Sequence, residues 1–337
     1  VTVTISVRDD TAKTAIDADL NGGTASLEDI AAAAGLLGGE TVTSIIDVTD
    51  PLNPVNAVVD AEGNIKGLAS GENRIWEING TTLGVKVKVT SITKVLYNLT
   101  DLNNMLMLGK TEAANTYAGY FVLGSNIEAA GGEYNPKSGY PTWFDGGNQG
   151  FIGTLDGRGY AINNLVLYNS LFGGGVGETA IIRNIALKGV VIAGAGMDWG
   201  IFSGSASKGA LFENIYIDIA ESPETNTVVD VLVHVGYGIR IRNIIVHLGE
   251  NAPVVNAVYQ ADNTVCDVIE NIYIIAENKT AYDAAVQKKY ANTSVYDSEE
   301  AFKTGTAQTN WAEIGFVGYW DITAGKIPQL KPKAQND

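Results

Sequence analysis

The chain has 337 residues, 39 of them glycine, a formal charge of −16 and a single cysteine, Cys266. That charge argues against nucleic acid and against anionic membrane surfaces, because no basic stripe is present to neutralise phosphates. One cysteine excludes a disulfide scaffold, and the apolar run AAAAGLLGG at 31–39 is too short for a transmembrane helix. Val1 opens neither with Met nor with a basic, apolar signal, so the expectation is a processed terminus or a fragment boundary.

Residues 1–93 carry alternating runs, VTVTISV at 1–7, ETVTSIIDV at 40–48 and GVKVKVTSI at 84–92, separated by turn signals such as NGG, DPLNP, AEGN and NGT. Short strands at such spacing predict a small β-sandwich over 1–93. The segment SLEDIAAAAGLL at 26–37 reads as a helix inside it. The stretch 59–89, in which a strand, two Gly turns and a Val-rich strand follow in order, resembles the C-terminal half of bacterial immunoglobulin-like modules. Residues 94–118 read as a linker and cap, in which TDLNNMLML at 100–108 forms a helix begun at Thr100 or Asp101. An apolar helix there would plug the open end of a solenoid lying C-terminal to it.

Five stretches beyond that helix repeat one phrase: INNLVL at 162–167, IRNIAL at 182–187, FENIYI at 212–217, IRNIIV at 241–246 and IENIYI at 269–274. Their asparagines, Asn164, Asn184, Asn214, Asn243 and Asn271, are spaced by 20, 30, 29 and 28 residues. A strand repeated at that length with an Asn at a corner predicts a parallel β-solenoid over 119–280. Apolar residues two before and one and three after each Asn form inward columns, since strand side chains alternate faces. One before the Asn stand Asn163, Arg183, Glu213, Arg242 and Glu270, four of which alternate in sign as stacked rungs require. Residues 281–337 read as a C-terminal cap: a helix at SEEAFKTG, 298–305, begun at Asp297 or Ser298, and Trp311, Phe316, Tyr319 and Trp320 closing the lower end.

The run Phe151, Gly153, Thr154, Asp156, Gly157, Gly159, Ile162, Asn164 and Leu165, then Leu171, Phe172, Gly173 and Ile182, Asn184, Ile185, resembles the Gly-rich (GLUG-like) repeat proteins of bacterial cell surfaces and gut phages. The closing segment YWDITAGKIPQLK at 319–331 resembles the end of such repeats. The resemblance implies an all-β chain built on a right-handed β-helix, exported or virion-associated, and it implies no activity.

Outward columns are where a solenoid enzyme would place its groups. Lys188, Asp218 and His247 fall four after their asparagines and form a candidate proton-transfer cluster, with a surface ion ladder as the simpler reading. Asp230 and His234 are four apart, which on a regular strand places them on one face some 13 Å from each other. Neither acid supplies the paired carboxylates of a glycosidase or a calcium-holding lyase, so a polysaccharide-degrading enzyme is the lesser reading. No cofactor is expected, and the histidines and cysteine lack zinc-like spacing.

Binding is better motivated. The insertion at 128–150 carries Tyr134, Tyr140, Trp143 and Phe144 among Gly, Pro and Asn, a composition suited to glycan or protein contact, or to folding back on the upper coil. Outward Tyr216 and Tyr273 flank Ile245 in a second apolar strip, which would seat a neighbouring copy in an oligomer or lie under a loop. Sequons at Asn79, Asn98, Asn278 and Asn292 arise from composition. The leading expectation is a non-catalytic surface or virion protein displaying loops, with a packed capsid, tail or filament subunit as a further alternative.

Overall fold

The computed structural model describes residues 15–19, 25–26, 42–48, 52, 54–56, 64–65, 73–90, 92–106, 116–129, 133–134, 150–168, 170–172, 175–178, 180–193, 200–207, 209–221, 228–236, 238–252, 254–261, 268–277, 293–316 and 318–332. The chain divides into two compact units, one of residues 1–92, 312–318 and 336–337, the other of 93–311 and 319–335. The expected strand at 1–7 and most of the expected helix at 26–37 lie outside the described residues.

In the first unit a five-stranded sheet runs in the order Ala15–Asp19, Thr81–Thr90, Asn73–Ile78, Ile45–Asp47, Val55–Asn56. Its first pairing is parallel and the others antiparallel. The hairpin between Asn73–Ile78 and Thr81–Thr90 turns on Asn79 and Gly80, both at positive φ (50° and 80°). A two-residue turn of this hand matches the twist of the flanking strands, and only Asn and Gly adopt it cheaply. Asn79 also fastens the start of the adjoining strand Ile45–Asp47, its Oδ1 accepting from the Thr43 N–H (2.7 Å), the Thr43 hydroxyl (2.9 Å) and the Ser44 N–H (3.2 Å). Ile45, Trp76 and Ile78 form the buried apolar face.

The second unit is a parallel β-solenoid. Its main sheet stacks Tyr120–Leu123, Thr154–Asp156, Ile181–Ile192, Leu211–Glu221, Arg240–Asn251, Val268–Ala276 and Thr293–Tyr296, each parallel to the next. A second, parallel sheet is built from Ser203–Ala206, Val228–Gly236 and Val254–Ala261, extended upward by pairing of Ala206 with Val176 and Val176 with Phe151. At the corner between the sheets Leu171, Ile201 and Val231, then Phe172, Phe202 and Leu232, lie one above another. Phe151 stacks on Phe172 with ring centroids 4.7 Å apart.

The register corrects the top of the expected repeat. Leu155 and Asp156, rather than Ile162 and Asn163, lie over Ile182 and Arg183, while Ile162 pairs with Leu187 and Leu167 with Ile192. The inward column is therefore Leu155, Ile182, Phe212, Ile241 and Ile269, with steps of 27, 30, 29 and 28. INNLVL stacks on the second half of the strand Ile181–Ile192, which is why its apparent spacing of 20 is short. The charge column gains from the correction: Asp156, Arg183, Glu213, Arg242 and Glu270 alternate in sign throughout. Arg183 Nε lies 2.8 Å from Asp156, and Arg242 lies 2.6 Å from Glu213.

The asparagine column forms a ladder. Asn271, Asn243 and Asn214 each donate from Nδ2 to the Oδ1 of the Asn one coil up at 3.0 Å. Asn184 donates to Asp156 Oδ1 at 3.1 Å. Each rung Asn stands at φ between 52° and 58°, a region that Asn enters more readily than other residues with a Cβ. Asp156 terminates the ladder as a buried carboxylate that needs donors from every side. Arg183, the Arg158 N–H (2.9 Å) and the Tyr120 hydroxyl (3.4 Å) supply them. Asn164 stands outside the ladder, beside Gly189 and the Glu128 carboxylate.

Two short helices lie among the described residues. Helix α1, Leu99–Leu106, buries Leu102, Met105 and Leu106 in one core with Leu96, Phe121 and Leu123, so it plugs the upper coil. Its cap is Asn98 rather than Thr100 or Asp101, because Asn98 Oδ1 accepts the Asp101 N–H at 3.0 Å. Asp101 reaches back to the Tyr97 N–H (3.1 Å) and pairs with Lys94 (2.7 Å). Ile92–Leu96, which straddles the expected boundary between module and linker at 93/94, is the uppermost strand of the main sheet. Helix α2, Glu299–Gly305, starts at Ser298, whose hydroxyl accepts the Ala301 N–H at 3.1 Å.

Asn214→Ala should lose both the ladder amide and an easy left-handed backbone, whereas Asn214→Gly loses the amide alone. Denaturant unfolding should show Ala to be the worse by about 1–2 kcal/mol; equal losses would mean that backbone conformation contributes nothing at this corner. At the upper cap, the Lys94 hydrogen bond, then the Tyr97 N–H, holds the Asp101 carboxyl below its ordinary 3.8. Its stabilisation is present above pH 3.8 and is lost as pH falls through the lower folded value. Asp101→Asn should accordingly lower Tm at neutral pH and cease to differ from wild type in strong acid.

Candidate functional site

Asp218 and His247 meet on the outer face of the main sheet, and Lys188 lies beside them. Asp218 sits directly over His247 in the stacked register, and its Oδ1 lies 2.8 Å from His247 Nδ1. Its Oδ2 accepts the Gly189 N–H at 3.0 Å. Lys188 turns aside, its Nζ 5.8 Å from the centre of the Tyr216 ring. Burial pushes the Asp218 carboxyl up, but the His247 hydrogen bond, the Gly189 N–H and the charges of His247 and Lys188 outweigh it and hold the group below the usual carboxylate range. His247 is raised by its hydrogen bond to Asp218 against the opposing effect of burial, with Asp218 and Glu277 adding charge attraction. With both oxygens of Asp218 engaged, the Asp218–His247 pair ties one rung to the next.

Asp230 and His234 are not 13 Å apart: Asp230 Oδ2 lies 2.7 Å from His234 Nδ1. The register slips between Val229 and Asp230 and again between Asp230 and Val233. Val231, Leu232 and Val233 are all buried in succession, so the strand bends at the corner instead of alternating. The bend folds residue i+4 back onto residue i. Asp230 belongs to the second sheet and Asp218 to the main sheet, each tied to its own histidine, so they do not form a pair across one cleft.

The strip of Ala186, Tyr216, Ile245 and Tyr273 stacks as expected but is covered by the chain itself. Tyr216 is 6% and Ile245 0% exposed. Tyr273 packs edge-on against Trp311 (5.0 Å) and Phe302 (6.1 Å). Trp320 donates from Nε1 to Asn214 Oδ1 at 3.1 Å, and Gln329 bonds the Tyr216 hydroxyl. At Gly159, at φ 78°, a Cβ would meet the Lys331 carbonyl oxygen at 2.1 Å, so a side chain there is excluded. Trp311 and Trp320 thus cover the side of the sheet instead of closing its lower end, and Phe316 groups with the first unit.

Tyr134 stands in a short rung strand, Glu133–Tyr134, that pairs with Val166–Leu167. Tyr140, Trp143 and Phe144 lie outside the described residues, as does Cys266. Sequence reasoning missed Glu277 and Glu299, whose carboxylates gather with His247. Glu277 follows the last Asn repeat by six residues, an outward position that the column logic could have reached; Glu299 comes from a helix and carries no such signal.

Burial, eased by the Gln329 hydrogen bond and reinforced by nearby Asp218 and Glu299, pushes the Tyr216 hydroxyl up to about 12. In Trp320→Ala, which loosens the cover, the tyrosinate absorbance assigned by difference from Tyr216→Phe should titrate closer to the ordinary 10.0. An unchanged titration would show that the C-terminal segment does not seal this column. Against protein-family models, curated proteins and solved structures, the chain gave no significant match.

Proposed function

We propose that this chain is a non-catalytic display scaffold of a bacterial surface or a virion. In this reading the solenoid is a right-handed β-helix, preceded by an immunoglobulin-like module, and it presents the part of the insertion beyond Tyr134, 135–150, to a glycan or a surface protein. Right-handed winding is supported by the strong preference of parallel strand crossovers for that hand. The antiparallel hairpin and mixed sheet of the first unit are compatible with an immunoglobulin-like sandwich.

One observation carries the display reading. Tyr134 pairs with Leu167, and Phe151 with Val176, so two adjacent coils remain in register on both sides of one corner. Between those positions the upper coil advances 17 residues (134 to 151) and the lower only 9 (167 to 176). The eight additional residues are not needed to close the coil, and the stretch holding them carries Tyr140, Trp143 and Phe144. An insertion tolerated at a solenoid corner without disturbing the rungs is a common way for such folds to build a binding face. The alternatives have less support: Asp218 and Asp230 do not converge for hydrolysis, and the apolar strip expected to pack between copies is covered within the chain.

The test is a glycan array probed with the full chain and with a Tyr140→Ala/Trp143→Ala variant. Loss of about tenfold or more in binding at unchanged Tm is expected, since each stacked aromatic supplies roughly 1 kcal/mol of contact. Ligands bound equally well by both proteins would move the binding face elsewhere.

A further inference from the structure

Three side chains meet on the outer face of the main sheet near its lower end, and neither the rung lattice nor the display reading accounts for them. His247 comes from the strand Arg240–Asn251, Glu277 follows the strand Val268–Ala276, and Glu299 lies in the first turn of α2. One potential ligand atom from each lies within 4.8 Å of the other two. The residues are 30 and 22 positions apart in the chain, so no sequence spacing reveals them.

The histidine is the informative member. Because the Asp218 carboxylate takes the hydrogen bond at Nδ1, that nitrogen carries a proton, and Nε2 is the ring atom left to hold either a second proton or a metal ion. Nε2 is sealed from solvent and makes no well-formed hydrogen bond, with Glu277 Oε1 3.4 Å away. A ring nitrogen aimed at two carboxylates, away from water, calls for a positive charge among them, which a second ring proton or a metal ion can supply. A metal ion with bonds of about 2.0–2.1 Å to nitrogen and oxygen needs its ligand atoms about 3.3 Å apart in a tetrahedron. The two glutamates are partly exposed and can close that gap by side-chain rotation. Lys303 pairs with Glu299 Oε2 at 2.9 Å, which leaves the other oxygen to turn inward. A carboxylate behind the far nitrogen of a histidine is also the usual support for a metal-bound imidazole.

We propose that His247, Glu277 and Glu299 bind one divalent transition-metal ion, best matched by zinc, with Asp218 positioning the imidazole and water completing the shell. The nitrogen donor and small ligand number disfavour calcium and magnesium, which take six or more oxygens or retain their waters. The ion would tie α2 to two rungs of the sheet and so hold the segment that covers Tyr273 and Tyr216.

Metal-stripped full chain titrated with zinc chloride by calorimetry should bind one equivalent, and cobalt should give the intense visible bands of a four-coordinate site. Glu277→Gln and Glu299→Gln, both at partly exposed positions, should each weaken zinc binding about tenfold or more. Asp218→Asn, which leaves all three ligands in place, should weaken it by about 10- to 100-fold. Far-UV circular dichroism establishes that the variants are folded. Zinc should raise Tm in the wild type and not in Glu277→Gln/Glu299→Gln. Zinc binding unchanged in that double variant would place the ion elsewhere on an acidic surface and overturn the proposal. So would the absence of binding at about 1 mM zinc, which corresponds to only about 4 kcal/mol of affinity; His247 would then be an imidazolium paired with Glu277.

Discussion

Everything in the solenoid depends on keeping one coil in register with the next, and the interaction that fixes register most sharply is the asparagine ladder. Apolar columns alone tolerate slippage, because Ile, Leu and Val at inward positions are nearly interchangeable between rungs. An amide that must stand at positive φ, donate upward and accept from below has far fewer solutions. A ladder of donors needs an acceptor at its head, and Asp156 supplies it where another Asn would leave a further amide N–H seeking a partner. The same carboxylate then compensates Arg183, which begins the alternating charge column, so amide ladder and charge ladder share one origin.

That shared origin explains how much of the fold could be read from sequence and where reading stopped. From Ile182 to Ile274 the phrase repeats with a period near 29, and apolar, charged and Asn columns all stack as their spacing requires. At the top, INNLVL imitates the phrase while sitting on the other half of the strand Ile181–Ile192. The apolar pattern of Ile162, Leu165 and Leu167 is suited to either half, since buried apolar residues two apart recur along the strand, as in Ile185/Leu187 and Val190/Ile192. The discriminating mark was the charge: Asn163 breaks the sign alternation that Asp156 completes. In α1, three cap-forming residues stand close together at Asn98, Thr100 and Asp101, and only geometry decides that Asn98 takes the N–H.

The Asp230–His234 pair was illegible for a different reason. Strand arithmetic assumes a rise of about 3.3 Å per residue, and a corner violates it. The sequence VDVLVHV alternates well enough to pass for a flat strand, yet its three central residues all face the core. Period-two patterning therefore cannot by itself tell a strand from a bend that buries a continuous apolar run. In a solenoid, which must turn several times per coil, that ambiguity recurs at every corner. The outward cluster escaped it because Asp218 and His247 occupy a straight part of the main sheet, where stacking follows directly from equal offsets to the rung asparagines.

The apolar strip shows why an outward column cannot be interpreted without the rest of the chain. Tyr216, Ile245 and Tyr273 are unmistakably outward, and alternation says nothing about what lies beyond them. Burying such a strip within the chain removes the exposed apolar face that invites association, at the entropic cost of ordering one segment along several rungs. That segment must itself be held in place. Trp320 is held by the oxygen of Asn214, the atom that also accepts from Asn243, so the cover is fastened to the same ladder that sets the register. Gly159 then permits the backbone of Lys331 to approach a turn immediately after Asp156. The cover consequently meets the lattice near its acceptor head as well as along its length. Its contacts at Asn214 and Gly159 depend on the spacing between coils, so a slip of one rung would disturb the outer cover and the inner stack together.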